Sequence, residues 1–576
     1  MFLFKGRIQI FLWCAFFSGL FLPTYTLAQT LSTVNEKVFE AEEQELYLPS
    51  ESGRLKLDLR QNIYDLNYLN LDRLPENIDL KKIKVIGNTV IPTTELQSII
   101  DSESSPTISK NTLRQVIQRI NKAYRDRGYL TSGVFTEPKL QPNGIIFIPI
   151  TEGKIEDVQI TGLKRLRDGY IRNRLIRNDG NIFNQEDLKQ ELQLLQVNDL
   201  IDNISGTIVP GSSIGSSILE IEVREDDPFY VELSLDNLGF PTSGSFRRQL
   251  KINHDNLIGF GDRFYAAYTN SDGSNALDNL AYIFPINSHD GTVAINYGIG
   301  KLELIEPPLE DLDIDSNFNF FQLAINQPLY QTAEREFTLR LSFSRVARET
   351  TLFDEPFPIS RGAESDGELN VSTIDFAQIY TKRGKSDRLD LGSQFVVGVN
   401  AFDATDNDDA PDSNFVLWRG QASYLRKFTK DLSLSFNSYL QFSDRPLVYL
   451  EQTPFKLFTI GREEEAFILR GYRRSSLQAD NGVFATTEFR ANVLKIDSLN
   501  SIIQLTPFID FGTAWNDDDV ELDESTLIST GLGIRLLVND NFRARVDWGF
   551  PLIERDLDGG SLQEDGVTFN IEYRPF

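Results

Sequence analysis

The chain has almost none of the residues that build disulfide frameworks, zinc sites or histidine-based catalysis. One cysteine (Cys14), one methionine and two histidines (His254 and His289) are all that 576 residues contain. Cysteine zinc sites and disulfide scaffolds need more than one thiol and are excluded, and a multi-histidine metal centre nearly so. Positive charge is also in short supply: 57 Lys and Arg stand against 84 Asp and Glu, a net charge of −27. So acidic a chain repels phosphate backbones, and no nucleic-acid partner is expected. There is no G-x-x-x-x-G-K-[ST] loop to hold a nucleotide. Past residue 28 there is also no run of about 18 apolar residues that could span a membrane as a helix. Only helices and closed barrels satisfy their backbone hydrogen bonds in lipid.

The start of the chain reads as an address. Lys5 and Arg7 precede an apolar run from Ile8 to Leu22, and Thr26-Leu27-Ala28 ends the segment before Gln29. A basic start, a short apolar middle and a small exit residue predict a signal peptide over 1–28 and export of the rest. Residues 29–78 are polar and acidic, with no clear strand pattern. They read as a linker in which Val34–Leu46 has helix-forming composition.

From Phe229 onward, short segments alternate apolar and polar, the period of a strand with two different faces. Phe337, Leu339, Leu341 and Phe343 interleave with Thr338, Arg340, Ser342 and Ser344. Sixteen such segments can be read to the end of the chain, beginning near 229, 247, 262, 279, 291, 317, 336, 373, 388, 415, 432, 483, 502, 527, 542 and 567. Long polar connections (237–246, 301–316, 347–372, 401–414, 443–482, 515–526, 551–566) alternate with short ones (257–261, 287–290, 382–387, 429–431, 538–541). Outer-membrane barrels carry long loops outside and short turns on the periplasmic side. The expected fold over 229–576 is therefore an all-β transmembrane barrel of 16 antiparallel strands.

Residues 79–228 read as two copies of one β-α-α-β-β unit, 79–153 and 154–228. The first runs from the strand Ile83–Gly87 through helices at Thr94–Asp101 and along Leu113, Val116, Ile117, Ile120 and Tyr124, to strands at Ser132–Thr136 and Ile145–Ile150. The second repeats the order with Val158–Gly162, Tyr170–Ile176, the Leu188/Leu192/Leu195 stripe, Gly206–Val209 and Ile218–Val223. An exposed edge of such a sheet can capture an extended peptide as an added strand.

Two tempting motifs lead nowhere. Gly211-Ser212-Ser213-Ile214-Gly215 matches G-x-S-x-G, but it lies between two strands of the second unit, where a nucleophile elbow needs a strand-turn-helix. The acidic clusters Asp403, Asp406, Asp408, Asp409, Asp412 and Asp517, Asp518, Asp519, Glu521, Asp523, Glu524 read as solvated outer loops. Asp311, Asp313 and Asp315 begin like a calcium loop, but Ser316 and Gln322 stand where Gly and Glu are needed. The expectation is no enzyme, no catalytic residue, no metal and no cofactor.

Three short motifs remain. Asp236-Asn237-Leu238-Gly239 is followed by Asn256-Leu257-Ile258-Gly259-Phe260-Gly261-Asp262; Leu469-Arg470-Gly471-Tyr472 lies in the longest connection; and Phe508-Ile509-Asp510-Phe511-Gly512 lies on a strand. A charge sharing a strand face with Phe508 and Gly512 must point inward to avoid lipid. With the signal, the tandem units and the barrel, these motifs resemble the two-partner secretion transporters of the haemolysin secretion/activation family, whose periplasmic units are POTRA domains. The second and third look like the family's (V/L)RG(Y/F) and F-x-D-x-G signatures. The resemblance implies an outer-membrane monomer that exports one large unfolded exoprotein carrying an N-terminal secretion domain, without ATP. It implies that Arg470 and Asp510 lock a lumenal loop to the barrel wall, flanked by Leu469, Gly471 and Tyr472 on the loop and Phe508 and Gly512 on the wall. It also leaves open a plug role for residues 34–46. A barrel insertase of the same superfamily is the alternative, although two POTRA copies suit a dedicated exporter better.

Overall fold

The alternation written along the last 348 residues closes into one antiparallel barrel. The computed structural model describes residues 57–59, 71–177 (without 72, 80–81 and 103–106) and 182–575 (without 409–410, 454–467, 475, 519, 521, 540 and 555–559). The predicted signal peptide and the 34–46 segment lie outside the described residues. The chain divides into two compact units, with residues 227–576 in one and 49–226 in the other.

Sixteen spanning strands pair in sequence order from Phe229–Asp236 to Val567–Tyr573, and the last pairs with the first. Leu233 to Asp236 face Tyr573 to Asn570 across that closure. The Asn237 side chain extends it: its Nδ2 donates to the Val567 carbonyl at 2.9 Å and its Oδ1 accepts from the Phe569 N–H at 2.7 Å. A closed barrel leaves no unpaired edge, which is what lets strands cross hydrocarbon.

Polarity is inverted relative to a water-soluble barrel. Along the seventh strand, Arg335–Leu352, the side chains of Thr338, Arg340, Ser342, Ser344 and Arg348 are buried, while Leu341 between them is 53% exposed. The same holds around the wall: Ile295, Ile325, Ile374, Phe395, Ile509, Leu532 and Val546 face out, and Asn296, Gln322, Asp375, Gln394, Asp510 and Asp547 face in. Burying polar groups is costly unless they find partners. Here Arg340 donates to Asn326, Ser342 to Asp375 and Thr381 to Asp390. The first short turn is built from its own motif. Asp262 accepts from the N–H groups of Ile258 and Phe260, and the Asn256 Oδ1 accepts from the Gly261 N–H at 3.0 Å.

Most strand starts lie close to those read from the alternation, but the fourth begins earlier, at Ser274, and the eighth at Glu368, and several strands run further. The 347–372 connection expected to be loop is strand at both ends, through Leu352 and again from Glu368, with a two-residue strand, Glu355–Pro356, folded back on Thr351 and Leu352. Of the polar residues that suggested loop, Arg348, Thr350, Asn370 and Ser372 are buried, whereas Glu349 and Glu368 are exposed.

In the other unit, two α/β layers repeat one topology. In the first, Lys82–Ile86 runs parallel to Ile145–Pro149, which pairs antiparallel with Lys139–Leu140. Lys154–Thr161, Ser216–Glu225 and Ile201–Pro210 repeat that arrangement in the second. The long helices Lys110–Arg125 and Gln185–Gln196 cover the sheets with their apolar stripes, Leu113 to Tyr124 and Leu188 to Leu195. Two expectations are corrected. Ser132–Thr136 is not a strand. Gly133 makes one bridge to Thr151, and the Asn121 side chain takes up the Val134 N–H at 2.7 Å, so Lys139–Leu140 supplies the sheet edge instead. Residues 29–78, read without strands, include Leu57–Leu59, parallel to Gly206–Ile208, and Asn77–Asp79, antiparallel to Thr107–Ser109. Three residues are too few to display a period of two.

Glu152 ties the first α/β layer together. It accepts from the Thr89 N–H at 2.7 Å, the Val90 N–H at 3.0 Å, the Tyr124 hydroxyl at 2.9 Å and the Thr89 hydroxyl. Burial works to raise its pKa, but these bonds outweigh burial and hold the carboxyl below its ordinary range. A carboxyl depressed in the folded state contributes stability that is lost as pH falls through its folded pKa. We expect Glu152→Gln to weaken this acid dependence and to speed hydrogen exchange at the Thr89 and Val90 amides about tenfold, in line with ~1–3 kcal/mol for unsatisfied groups. Exchange rates unchanged from the parent chain would show that the carboxylate does not hold this turn.

Candidate functional site

The connection between the eleventh strand (Leu432–Ser443) and the twelfth (Asn481–Ile496) returns along the inside of the wall. On that return Arg470 is 7% exposed and its main partner, Asp510, is completely buried. Asp510 sits mid-way along the thirteenth strand, Ser501–Trp515, where Phe508, Asp510 and Gly512 face in and Ile509 faces lipid.

The guanidinium grips the wall from several directions. Nε donates to Asp510 Oδ2 at 2.8 Å and Nη2 to Oδ1 at 2.7 Å, the bidentate geometry that fixes direction as well as position. The Arg470 backbone N–H adds a third bond to Oδ2 at 3.0 Å. Nη1 donates to Glu488 at 2.7 Å and Nη2 to the Thr486 hydroxyl at 2.9 Å, both on the twelfth strand. Below the charge lies the Phe508 ring, 3.4 Å from guanidinium carbon to centroid, a cation–π contact in a water-poor setting.

Backbone contacts make the fit close. Gly471 has φ +90°, a conformation that favours glycine, and it lies against Gly549 of the fifteenth strand, Phe542–Pro551. A Cβ on Gly549 would come within 2.4 Å of the Gly471 nitrogen. One on Gly512 would meet Leu469 at 2.8 Å, which accounts for the glycine of the wall motif. Tyr472 is 1% exposed among Tyr439, Leu477, Phe484 and Leu527, with its hydroxyl 2.7 Å from the Ile528 carbonyl oxygen. The structure thus gathers Leu469, Arg470, Gly471 and Tyr472 with Phe508, Asp510 and Gly512.

Sequence reasoning missed the rest of the cluster. Glu488 also pairs with Arg490 at 3.0 Å, Arg535 at 3.3 Å and Arg545 at 2.6 Å, and Arg545 reaches Asp547. The signal was present in the inward register of the twelfth strand, where Thr486, Glu488 and Arg490 follow Phe484. The acidic loops have partners as well: Asp406 accepts from Asn400, and Asp518 pairs with Arg361. Asp409, Asp519 and Glu521 lie outside the described residues. Among the described residues no three His, Cys, Asp or Glu side chains gather to hold a metal.

Residues 215–536 match the family described as haemolysin secretion/activation protein ShlB/FhaC/HecB. The chain belongs to that family. Residues 78–153 match its POTRA domain, ShlB type. Among relatives, an outer membrane transporter CdiB of Dickeya dadantii is 22% identical over 438 residues, 73% of this chain and 74% of the relative. A heme/hemopexin transporter protein HuxB of Haemophilus influenzae is 22% identical over 476 residues, 80% of each. The solved structure of CdiB from Escherichia coli shares the fold, with a TM-score of 0.66 at 17% identity over 97% of this chain and 100% of that one. As a family member with a sixteen-strand barrel and POTRA units, the chain is an outer-membrane secretion transporter, with its POTRA units in the periplasm.

The Gly471–Gly549 approach can be tested without touching a charge. Gly549→Ala should displace the return of the loop and speed exchange of the Arg470 amide at least about tenfold, since a bond of ~1.5–3 kcal/mol to a charged group is lost. Gly560→Ala, with nothing within 4 Å of its new methyl, is the control. Equal exchange in the two variants would mean that the loop does not depend on this contact.

Proposed function

We propose that this transporter passes a single large exoprotein, unfolded, from periplasm to cell surface, and that the loop carrying Arg470 is its gate. The observation that supports this most directly is the grip of Arg470 on Asp510, Thr486, Glu488 and Phe508 inside the lumen. A loop held there lies in the path of anything crossing the barrel. Breaking one partner of a buried ion pair costs about 3–5 kcal/mol, which is large enough to keep the loop in place and small enough for a bound client to offset. One relative is by its name a heme/hemopexin transporter protein. By analogy the client here is an exoprotein with an N-terminal secretion domain.

On this reading residues 1–28 direct export, and the segment up to 78 leads into the POTRA units, its strand Leu57–Leu59 joining the sheet of the second. The POTRA units, 79–153 and 154–228, take up the extended client by main-chain pairing along a sheet edge, a mode that depends little on sequence. No nucleotide site is needed: folding of the client outside draws the remaining chain through the pore. Nothing in the fold favours an insertase over an exporter.

Deleting the gene and comparing culture-medium proteins should remove one large exoprotein while other outer-membrane barrels stay at their normal levels. General depletion of barrels would instead mark an insertase. With that exoprotein as readout, Asp510→Ala and Arg470→Ala should each cut export at least about tenfold while the barrel still assembles, as the stated cost of a broken buried pair allows. Export at the parent level by both would remove the lock from the mechanism.

A further inference from the structure

The connection that leaves the ninth strand, Asp387–Gly398, begins by bending back over the outside of the wall. Both ends of the bend are bonded to the edge of the eighth strand, Glu368–Arg383. The Val399 N–H donates to the Ser372 carbonyl at 2.9 Å, and the Thr405 N–H to the Asn370 carbonyl at 2.8 Å. Between these anchors the Asn400 side chain closes the neck, with Nδ2 donating to Asp406 at 2.7 Å.

Ser372 shows on which side the bend lies. It shares a strand face with Ile374 and Phe376, both exposed on the lipid side, yet it is itself completely buried. Its cover is the bend: Ser372 Oγ donates to the Ala401 carbonyl at 2.9 Å. From there the chain reaches across to the seventh strand. The Phe402 ring lies 5.3 Å from that of Phe343 at an angle of 56°, and Arg345 Nε donates to the Phe402 carbonyl at 2.9 Å. Phe343 and Arg345 stand opposite Ile374 and Ser372 in the ladder, on the outward face.

Phe402 is 64% exposed at the tip, and it and Asp403 have φ of +59° and +56°. Two left-handed residues in a row, neither of them glycine and one of them bulky, are uncommon. A lone exposed apolar side chain is ordinary on a water-soluble surface. What distinguishes Phe402 is the face it extends, the apolar belt of Leu341, Ile374, Phe376, Phe395 and Val397, all exposed. Just beyond Phe343 that face turns polar, with Arg345 and then the exposed Glu349 on the same strand. Asp403, beside the ring, is exposed as well.

We propose that the bend at 399–405 is a lipid anchor, and that the partner of this face is the acyl layer of the surrounding membrane. Phe402 enters the outer rim of the hydrocarbon beside Phe343, the level at which barrels carry aromatic girdles. Arg345 and Asp403 stay in the headgroup layer, which limits the depth of the ring. Arg345 holds the bend against the wall through the Phe402 carbonyl. With both ends bonded to the eighth strand, the anchor fixes the height of this part of the wall in the membrane. It does not depend on whether the loop carrying Arg470 gates.

Spin labels on single cysteines locate the ring. Leu341→Cys, Phe402→Cys and Phe353→Cys are each made in the full chain carrying Cys14→Ser and reconstituted into phosphatidylcholine vesicles. Leu341 is the lipid reference. Phe353, itself 57% exposed, is the water reference, because it lies about 33 Å further along the chain than Phe343 at strand spacing. With each variant folded as judged by heat-modifiable mobility, oxygen should relax the labels at 341 and 402 more than a water-soluble nickel chelate does, and the order should reverse at 353. A label at 402 that ranks with 353 would overturn the inference, because the bend would then lie in water. Arg345→Ala added to the 402 variant should move its label toward the values at 353. Values unchanged by that substitution would overturn the part given to Arg345.

Discussion

Every feature of this barrel follows from the need to satisfy backbone N–H and C=O groups where there is no water. In hydrocarbon that demand closes the sheet, and closure turns one face of every strand toward lipid and the other toward the lumen. The lipid face must then be apolar where it meets hydrocarbon, so most polar side chains at that level collect inside. A lumen lined by Arg340, Asp375, Arg388, Asp390, Glu488, Asp510 and Asp547 is the result. Charges crowded in a confined interior must pair, and a loop that enters such a lumen can be held only by joining that pairing. Arg470 does so, with a planar fork matched to a carboxylate.

Such a lumen favours ionic anchorage for an inserted loop over purely apolar packing. An apolar contact has no preferred direction, whereas a bidentate pair is lost when the loop rotates by a small angle. The loop uses both kinds on each side: Leu447 to Leu450 pack beside the Arg419–Glu451 pair, and Tyr472 packs beside the Arg470–Asp510 pair. Gly471 and Gly549 let the two backbones come close enough for the fork to reach.

The barrel was legible in the sequence because alternation is a local property, readable without knowing what each strand pairs with. The same holds for Asp510, whose inward direction follows from Phe508 and Gly512 on the same face. What was not legible depended on partners distant in sequence. That Arg535 and Arg545 converge on Glu488 requires the register of the twelfth, fourteenth and fifteenth strands around a closed wall. That Gln441 donates to the carbonyls of both Glu451 and Asp480 likewise depends on a loop folded back between its two strands. At the other extreme Leu57–Leu59 escaped notice because three residues carry no period, and Ser132–Thr136 was misread because Asn121, a helix residue, does the work of a neighbouring strand.

On the proposed gate, the distribution of cations around Glu488 sets how the wall would be left were Arg470 to withdraw. Arg490, Arg535 and Arg545 stay behind, so Glu488 remains surrounded by positive charge, and Asp547 keeps Arg545. Three fixed arginines then face three fixed carboxylates, and the vacated wall is electrically neutral. Only Asp510 loses its cation, retaining the Thr486 hydroxyl at 2.5 Å. The disturbance is confined to one carboxylate and does not spread through the cluster. The patch left where Arg470 had been is therefore balanced in charge, with Asp510 its one carboxylate without an arginine.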